Sequence, residues 1–411
     1  MNSQRKKICV IGMGYIGLPT SALLASSGYQ VYGIDINFSV VESINKGKTH
    51  FIEPDLDGLV HKMVMEKKLL ALLEPTAADV FLIAVPTPFK NNFEPDLSFV
   101  EAAIDSISPC LKNNDLVILE STSPVGTTQL MYKRILENRP DVKNIYMSYC
   151  PERVLPGKIL KELKSNDRVV GGIDVESATI TSQFYKTFVD GGVRVTTSET
   201  AELVKLAENS FRDVNIAFAN ELGRISDSYN INIWELINLA NLHPRVNILN
   251  PGPGVGGHCI AVDPWFIVHS AKDNAKLIRT SREINDSQPL YVLGKIRPSL
   301  EEASIKKMDV VVYGLAFKAN IDDLRESPAV EIVKAISKEF DGNIYVVEPN
   351  IHELPKELSI IENVKFVAEL EQLSGEFSLG VILVAHDEFK NKLDLIKNQS
   401  NEIIDVVGVC N

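Results

Sequence analysis

No run of this sequence approaches the roughly 20 consecutive apolar residues that a membrane-spanning helix needs, which excludes a transmembrane reading. The first apolar stretch, 8–11, is too short for the core of a secretory signal and has no cleavage site, so a cytoplasmic protein is expected. Cysteine is sparse: Cys9, Cys110, Cys150, Cys259 and Cys410 are odd in number and follow no metal-ligating spacing. That argues against a disulfide framework and a metal centre, points to a reducing compartment, and leaves at least one thiol able to react. Positive charge is in deficit, with 42 Lys and Arg against 54 Asp and Glu and a net charge of −12. Such a surface repels nucleic acid and anionic lipid. The one dense basic cluster, Arg5-Lys6-Lys7, is a solvated lead-in to an apolar strand. Disorder is excluded by ordinary globular proportions, 45% apolar and 23% charged.

A chain of 411 residues exceeds one compact core and predicts two or three domains. The segment 7–12 is a short apolar run ending in glycine, a helical pattern follows over 18–27, Gly28 stops it, and 30–35 is the next strand, which together make a βαβ unit. Further strands are predicted at 80–85, 116–120 and 145–149, separated by helical pattern, which implies a parallel sheet covered on both faces. From Glu199 to Tyr229 there is no Pro and a single Gly, and Leu203, Leu206, Phe211, Val214, Phe218 and Leu222 recur at helical spacing, so one long helix is predicted. More helices are predicted at 233–241 and 264–285, and strands return at 308–314, 343–348, 379–385 and 403–406. The expected fold is α/β: two doubly wound Rossmann-like domains, 1–195 and 303–411, joined by a central helical domain, 196–302, that carries a dimer interface. Two such domains around a helical connector predict a ligand cleft.

Gly12-Met-Gly14-Tyr-Ile-Gly17 follows the first strand and opens a helix. In a dinucleotide fold the first Gly allows the tight turn, the second admits pyrophosphate, and the third lets helix pack on strand. Asp35, ending the second strand, is placed to accept hydrogen bonds from ribose hydroxyls and to repel a 2′-phosphate, which favours NAD. Two later strands end in Thr87 and Thr122, candidate contacts to nicotinamide or its ribose, although ordinary turn chemistry explains them nearly as well.

The sharpest chemical signal is Pro251-Gly-Pro-Gly-Val-Gly-Gly-His-Cys259-Ile-Ala-Val-Asp263, with four glycines in the six positions 252–257. Glycine lets the backbone approach a ligand closely, and a thiol at the end of such a ribbon can be reached by substrate. Cys9, Cys110, Cys150 and Cys410 lack that context and are expected to be buried and inert. On the long helix Lys205, Asn209 and Arg212 share one stripe, suited to an oxygen-rich anion; a solvated face with a Glu208–Arg212 pair is the competing reading.

These pieces together resemble the UDP-glucose/GDP-mannose dehydrogenase family over essentially the whole chain. They are GMGYIGLP at Gly12, STSPVGT at Ser121, PERVLPG at Pro151, KLAENSFRDVNIAFANE at Lys205, GPGVGGHCIAVDP at Gly252 and GLAFKANIDDLRESPA at Gly314. The resemblance implies a four-electron oxidation at C6 of a UDP-sugar, with two NAD consumed, in a homodimer or larger assembly. It implies Cys259 as nucleophile, Lys205 as acid/base or oxyanion-stabilising group, and Asn209 and Asp263 supporting oxyanion and water. Thr122 and Glu152 would lie near nicotinamide and the hydrolytic water. Tyr15 and Ile16 would join Gly12, Gly14, Gly17, Asp35, Thr87 and Thr122 at the cofactor. Arg153, Val154, Lys205, Asn209, Arg212, His243, Arg245, Gly256, Phe317 and Lys318 would contact substrate, with Lys318 and Arg325 where the C-terminal domain closes on sugar nucleotide and cofactor. The implied route runs through a thiohemiacetal and a thioester on Cys259. Its rivals are a two-electron β-hydroxyacid-type dehydrogenase, which needs no thiol, and a non-catalytic nucleotide-sugar binder, for which Cys259 would be dispensable.

Overall fold

The computed structural model describes residues 6–90, 93–155, 157–257 and 259–411. Arg5, Pro156 and His258, which fall within motifs quoted above, lie outside the described residues. The chain forms two compact units that divide between Glu208 and Asn209.

In the first unit β1 (Lys7–Ile11), β2 (Gln30–Ile34), β3 (Leu69–Leu72), β4 (Val80–Ile83), β5 (Leu116–Leu119), β6 (Tyr146–Tyr149), β7 (Arg168–Gly172) and β8 (Val193–Thr197) form one sheet. Their order is β3-β2-β1-β4-β5-β6-β7-β8. The apolar runs become central strands because both faces are covered: β4 and β5 are buried throughout. Alternate residues divide between two cores. Ile8, Val10, Leu82 and Ile118 face one side, and Cys9, Ile11, Phe81, Ile83, Val117 and Leu119 the other. The order reverses at β1 and β4, the switch point beside which ligands bind in doubly wound sheets. The fully parallel expectation needs one correction, because β7 runs antiparallel to β6. Among its described residues the connecting segment holds only the short helix Ile159–Ser165, and it returns along the same end of the sheet, where a parallel pair would need a full crossover.

The predicted long helix is present at Ser198–Ser228. The single helix expected over 264–285 is instead two, Asp263–Ala271 and Lys276–Asp286. Lys272, at φ +48°, and a short 3₁₀ turn separate them. A further helix, Gln288–Lys306, accommodates Pro298. The second unit ends in a sheet of β9 (Val310–Tyr313), β10 (Ile344–Val347), β11 (Val364–Val367), β12 (Phe377–Ile382) and β13 (Ser400–Asp405). Its order is β11-β10-β9-β12-β13, all parallel. Among the described residues no helix is long and apolar enough to cross a membrane.

Candidate active site

In the first unit the glycine turn sits at the end of β1 as the spacing requires. Gly12 has φ +91°, and a Cβ there would stand 2.5 Å from the Ala84 carbonyl oxygen. A Cβ on Gly17 would fall 1.7 Å from the Gly12 carbonyl oxygen, so helix and strand touch there. Around Gly14, by contrast, nothing among the described residues lies within 4 Å of the Cβ position. Two glycines are thus demanded by protein packing, whereas the second leaves open space at the mouth of the helix Gly17–Ser26, as a pyrophosphate seat would. Asp35 braces the turn, accepting from the Met13 N–H at 3.1 Å and the Asn37 N–H at 2.9 Å, one on each oxygen. Each oxygen retains a lone pair for a ribose hydroxyl. Tyr15 is exposed and stacks on Phe51 at 4.4 Å between ring centres, while Ile16 is half-buried at the helix start. Thr87 and Thr122, also half-buried, follow β4 and β5 at the same sheet edge.

Glu152 belongs to a buried polar group whose other members, Arg168, Glu120 and Tyr185, the sequence did not reveal. Arg168, 2% exposed, donates to Glu152 and to the Leu163 carbonyl at 2.7 Å. Lys205 Nζ donates to the Glu152 carbonyl at 2.8 Å, so the predicted acid/base lysine and Glu152 do meet. Glu120 accepts from the Tyr185 hydroxyl at 2.6 Å, and its other oxygen has no partner among the described residues. Burial first, and then the Glu152 charge, push the Glu120 carboxyl up to about 7. Glu202, three residues before Lys205, is fully buried and caps the 126–128 turn, accepting from the Gly126 N–H at 2.6 Å and the Thr128 N–H at 2.7 Å. Arg153 pairs with Glu208 at 2.7 Å and donates to the Asp167 carbonyl, and Val154 packs at the edge of the core. The Glu208–Arg212 pair considered from sequence does not form: Glu208 takes Arg153, and Arg212 donates to Asn209.

In the second unit Cys259 is exposed, whereas Cys9 and Cys150 are buried and Cys110 and Cys410 half-buried. Burial pushes the thiols of Cys9 and Cys150 up to about 12 and that of Cys410 to about 11, which leaves them protonated and unreactive. The Cys259 carbonyl accepts from the Asp263 N–H at 2.9 Å, so the cysteine lies one turn before the helix Asp263–Ala271, whose positive end favours a thiolate. Asn209, fully buried, donates to the Asp263 carboxylate. Lys205, one turn earlier on the same helix, completes the predicted stripe with Asn209 and Arg212.

The glycine ribbon is clamped at both ends by residues that sequence reasoning missed. At its start, Asn220 accepts from the Gly252 N–H at 2.9 Å, and Gln288 donates to the Gly252 carbonyl at 3.1 Å. At its end, Arg282 donates to the Ile260 carbonyl at 3.4 Å and to Asp213 at 2.6 Å. Asn285 joins the two ends, bonding Asn220 at 2.9 Å and Asp213 at 2.8 Å. The available signal was polar residues at core-facing positions of the long helix. Gly256 and Gly257 press on Phe317, where a Cβ would stand 2.6 Å from the Phe317 Cβ and 3.0 Å from its ring respectively. Lys318 is exposed, Arg325 pairs with Asp323 at 2.6 Å, and His243 and Arg245 lie on an exposed loop clasped by Asn241 to Ile248 at 2.7 and 3.0 Å.

A doubly wound sheet with this glycine turn at its switch point is a dinucleotide-binding domain, and comparison with known proteins narrows the class. Three models of the UDP-glucose/GDP-mannose dehydrogenase family match the chain: the NAD binding domain over 6–189, the central domain over 199–287 and the UDP binding domain over 311–411. The UDP-N-acetyl-D-mannosamine dehydrogenase of Campylobacter jejuni is 50% identical over 412 residues, 98% of this chain and 99% of that one. The NDP-N-acetyl-D-galactosaminuronic acid dehydrogenase of Ralstonia nicotianae is also 50% identical, over 98% of this chain and 96% of its own. Among solved structures, a UDP-N-acetyl-mannosamine dehydrogenase of Staphylococcus aureus superposes with a TM-score of 0.88 at 41% identity, covering 98% of this chain and 95% of that one. The chain belongs to the UDP-glucose/GDP-mannose dehydrogenase family. It is an NAD-dependent dehydrogenase acting on a UDP-sugar.

Proposed function

We propose that the protein oxidises C6 of UDP-N-acetyl-D-mannosamine to the carboxylate, with Cys259 as covalent nucleophile and two NAD used per substrate. The observation that carries this reading is the exposed thiol of Cys259 at the end of a clamped glycine ribbon, one turn from Asp263, whose carboxylate is tied to Asn209. The sugar is taken from the relatives. One acts on an N-acetylmannosamine derivative and another, equally similar, bears the name of an N-acetylgalactosaminuronic acid.

In this reading Lys205 takes the proton of the C6 hydroxyl. NAD, when bound, accepts the hydrogen that C6 loses with its electron pair, once in each of two oxidations. Between them, the Cys259 thiolate adds to the C6 aldehyde, and the resulting thiohemiacetal oxygen is held by the Lys205 ammonium and by the second N–H of the Asn209 amide. The second oxidation leaves a thioester on Sγ. Asp263 and Glu152 direct one water onto it, releasing the acid and restoring the thiol. Capture as the covalent thiohemiacetal keeps the aldehyde from escaping. Arg153, Val154, Arg212, His243, Arg245, Gly256, Phe317, Lys318 and Arg325 serve to hold sugar nucleotide and cofactor, with Tyr15, Ile16, Thr87 and Thr122 lining the cofactor's seat.

The protein acts in the cytoplasm as a homodimer or larger assembly. Supporting the assembly, Phe211, Phe218 and Ile225, spaced by seven residues on the long helix, are 69%, 51% and 47% exposed.

The test is the count of NADH formed per uronate over a panel of UDP-sugars, with Cys259→Ser alongside. Two NADH with UDP-N-acetyl-D-mannosamine, and no acid from the serine variant although it still binds NAD, are expected. One NADH per turnover, or a fully active Cys259→Ser enzyme, refutes the thioester route.

A further inference from the structure

A second buried polar cluster lies in the last domain, away from the thiol. Glu348 follows β10 and is fully buried. One of its oxygens, Oε2, accepts from the Leu315 N–H at 2.8 Å and the Ala316 N–H at 3.0 Å. The other, Oε1, accepts from the backbone and side-chain N–H groups of Asn350 at 3.0 and 3.1 Å. His386, 1% exposed, reaches Glu348 Oε2 through Nε2 at 3.1 Å. Its Nδ1 accepts from the Asn320 N–H at 2.9 Å, so the neutral ring carries its proton on Nε2 and donates it to Glu348. Asn320 is tied again by its side chain, which donates to Asp387 at 2.8 Å and accepts from the Asp387 N–H at 3.0 Å.

The segment 315–320 is thus held at both ends, by Glu348 at Leu315 and Ala316, and by His386 and Asp387 at Asn320. Between the two holds are Phe317 and Lys318. Phe317 is the residue against which Gly256 and Gly257 pack, and the Gly257 N–H donates to the Arg325 carbonyl at 3.0 Å in the same connection. A carboxylate taken fully out of water to bind backbone N–H groups is an expensive way to shape a loop, and desolvation alone would raise it. The His386 hydrogen bond and the Leu315 and Ala316 N–H groups instead hold it below its ordinary value.

We propose that Glu348 and His386 are positioning residues that fix the 315–320 segment, so that Phe317 sets the glycine ribbon leading to Cys259 and Lys318 is presented to the sugar nucleotide. Neither residue touches the reacting atoms; both act through Phe317 and Lys318. The inference rests on the reading of Cys259 and Lys318 given above, and it couples nucleotide-sugar recognition to the placement of the thiol.

The experiment compares the full-length enzyme with His386→Leu, His386→Gln and Asn350→Ala. Leucine fills the space but can neither donate to Glu348 nor accept from Asn320, glutamine can do both, and Asn350→Ala removes donors at the surface and so serves should the leucine variant not fold. KM for UDP-N-acetyl-D-mannosamine, kcat, Kd for NAD and the rate of Cys259 alkylation by iodoacetamide without ligands are measured on each. His386→Leu is expected to raise KM at least tenfold and to change the alkylation rate at least threefold, with Kd for NAD within twofold of wild type. His386→Gln should return both quantities most of the way, and Asn350→Ala should move them in the same direction by less. Wild-type KM and alkylation rate in a folded His386→Leu protein overturn the proposal, as do equal losses in the glutamine variant. Unchanged KM and alkylation in Asn350→Ala overturn it where the leucine variant does not fold. Alkylation needs no turnover, so a wild-type enzyme that formed no uronate would refute the functional reading while the positioning role was still decided.

Discussion

Replacing Gly14 with alanine separates packing from ligand binding more cleanly than any change at the other two glycines of the turn. Among the described residues nothing stands within 4 Å of the position its methyl would occupy, and its φ lies outside the left-handed range. Alanine therefore fits the folded backbone and narrows the unfolded ensemble, which stabilises a protein by about 0.4–1 kcal/mol. That amounts to a rise of about 1–4 °C in Tm for a domain of this size. If pyrophosphate sits on this turn, the same methyl would hold it off the backbone N–H groups. Losing one charge-assisted hydrogen bond costs about 1.5–3 kcal/mol, or about 10- to 150-fold in Kd at 1.4 kcal/mol per tenfold. Thermal melting without ligand and calorimetric titration with NAD read the two effects separately. Gly17→Ala is the control: its methyl would lie 1.7 Å from the Gly12 carbonyl oxygen, so Tm and NAD affinity should fall together. A Gly14→Ala protein that bound NAD like wild type would show that the pyrophosphate does not sit on this turn.

Three further outcomes are expected. Glu120 titrates at about 7 in the folded protein against an ordinary 4.5, so the folded state binds the extra proton. The contribution of Glu120 to stability is therefore full below pH 4.5, falls by about 3 kcal/mol between there and 7, and levels off above. Glu120→Gln should flatten that fall in urea titrations from pH 4.5 to 8, and an unchanged slope refutes the assignment. Arg282→Met strands the fully buried Asp213 carboxylate and should cost about 3–5 kcal/mol. Arg282→Met with Asp213→Leu should regain most of that stability but not kcat, since Ile260 beside the thiol still lacks its donor; full recovery of kcat would show the clamp to be irrelevant to Cys259. Phe218→Glu on the exposed helix face should reduce the mass in light scattering toward the 45.5 kDa of one chain, and an unaltered assembly would place the interface elsewhere.

The strands that sequence pattern missed are β3, β7, β8 and β11, all at or near a sheet edge. Edge strands are half solvated, so β7, β8 and β11 carry no continuous apolar run, as the mixed burial of β8 and β11 illustrates, whereas β3, Leu-Leu-Ala-Leu, is apolar throughout although one of its leucines is exposed. The single helix expected over 264–285 failed for a different reason: a left-handed residue at Lys272 interrupts an apolar periodicity that itself continues.

Sequence alone determined what depends on neighbours in the chain. The glycine spacing at 12, 14 and 17, the fully buried runs of β4 and β5, the long helix with Lys205 and Asn209 four residues apart, and the glycine ribbon before Cys259 are all set by local backbone freedom and periodicity. Tertiary structure decided the partners. Asp263 with Asn209, Arg168 with Glu152, Arg282 with Asp213 and Glu348 with His386 join residues 54, 16, 69 and 38 positions apart. A buried polar or charged group needs a hydrogen-bonding or ionic partner, and separations of that kind leave no trace in local pattern.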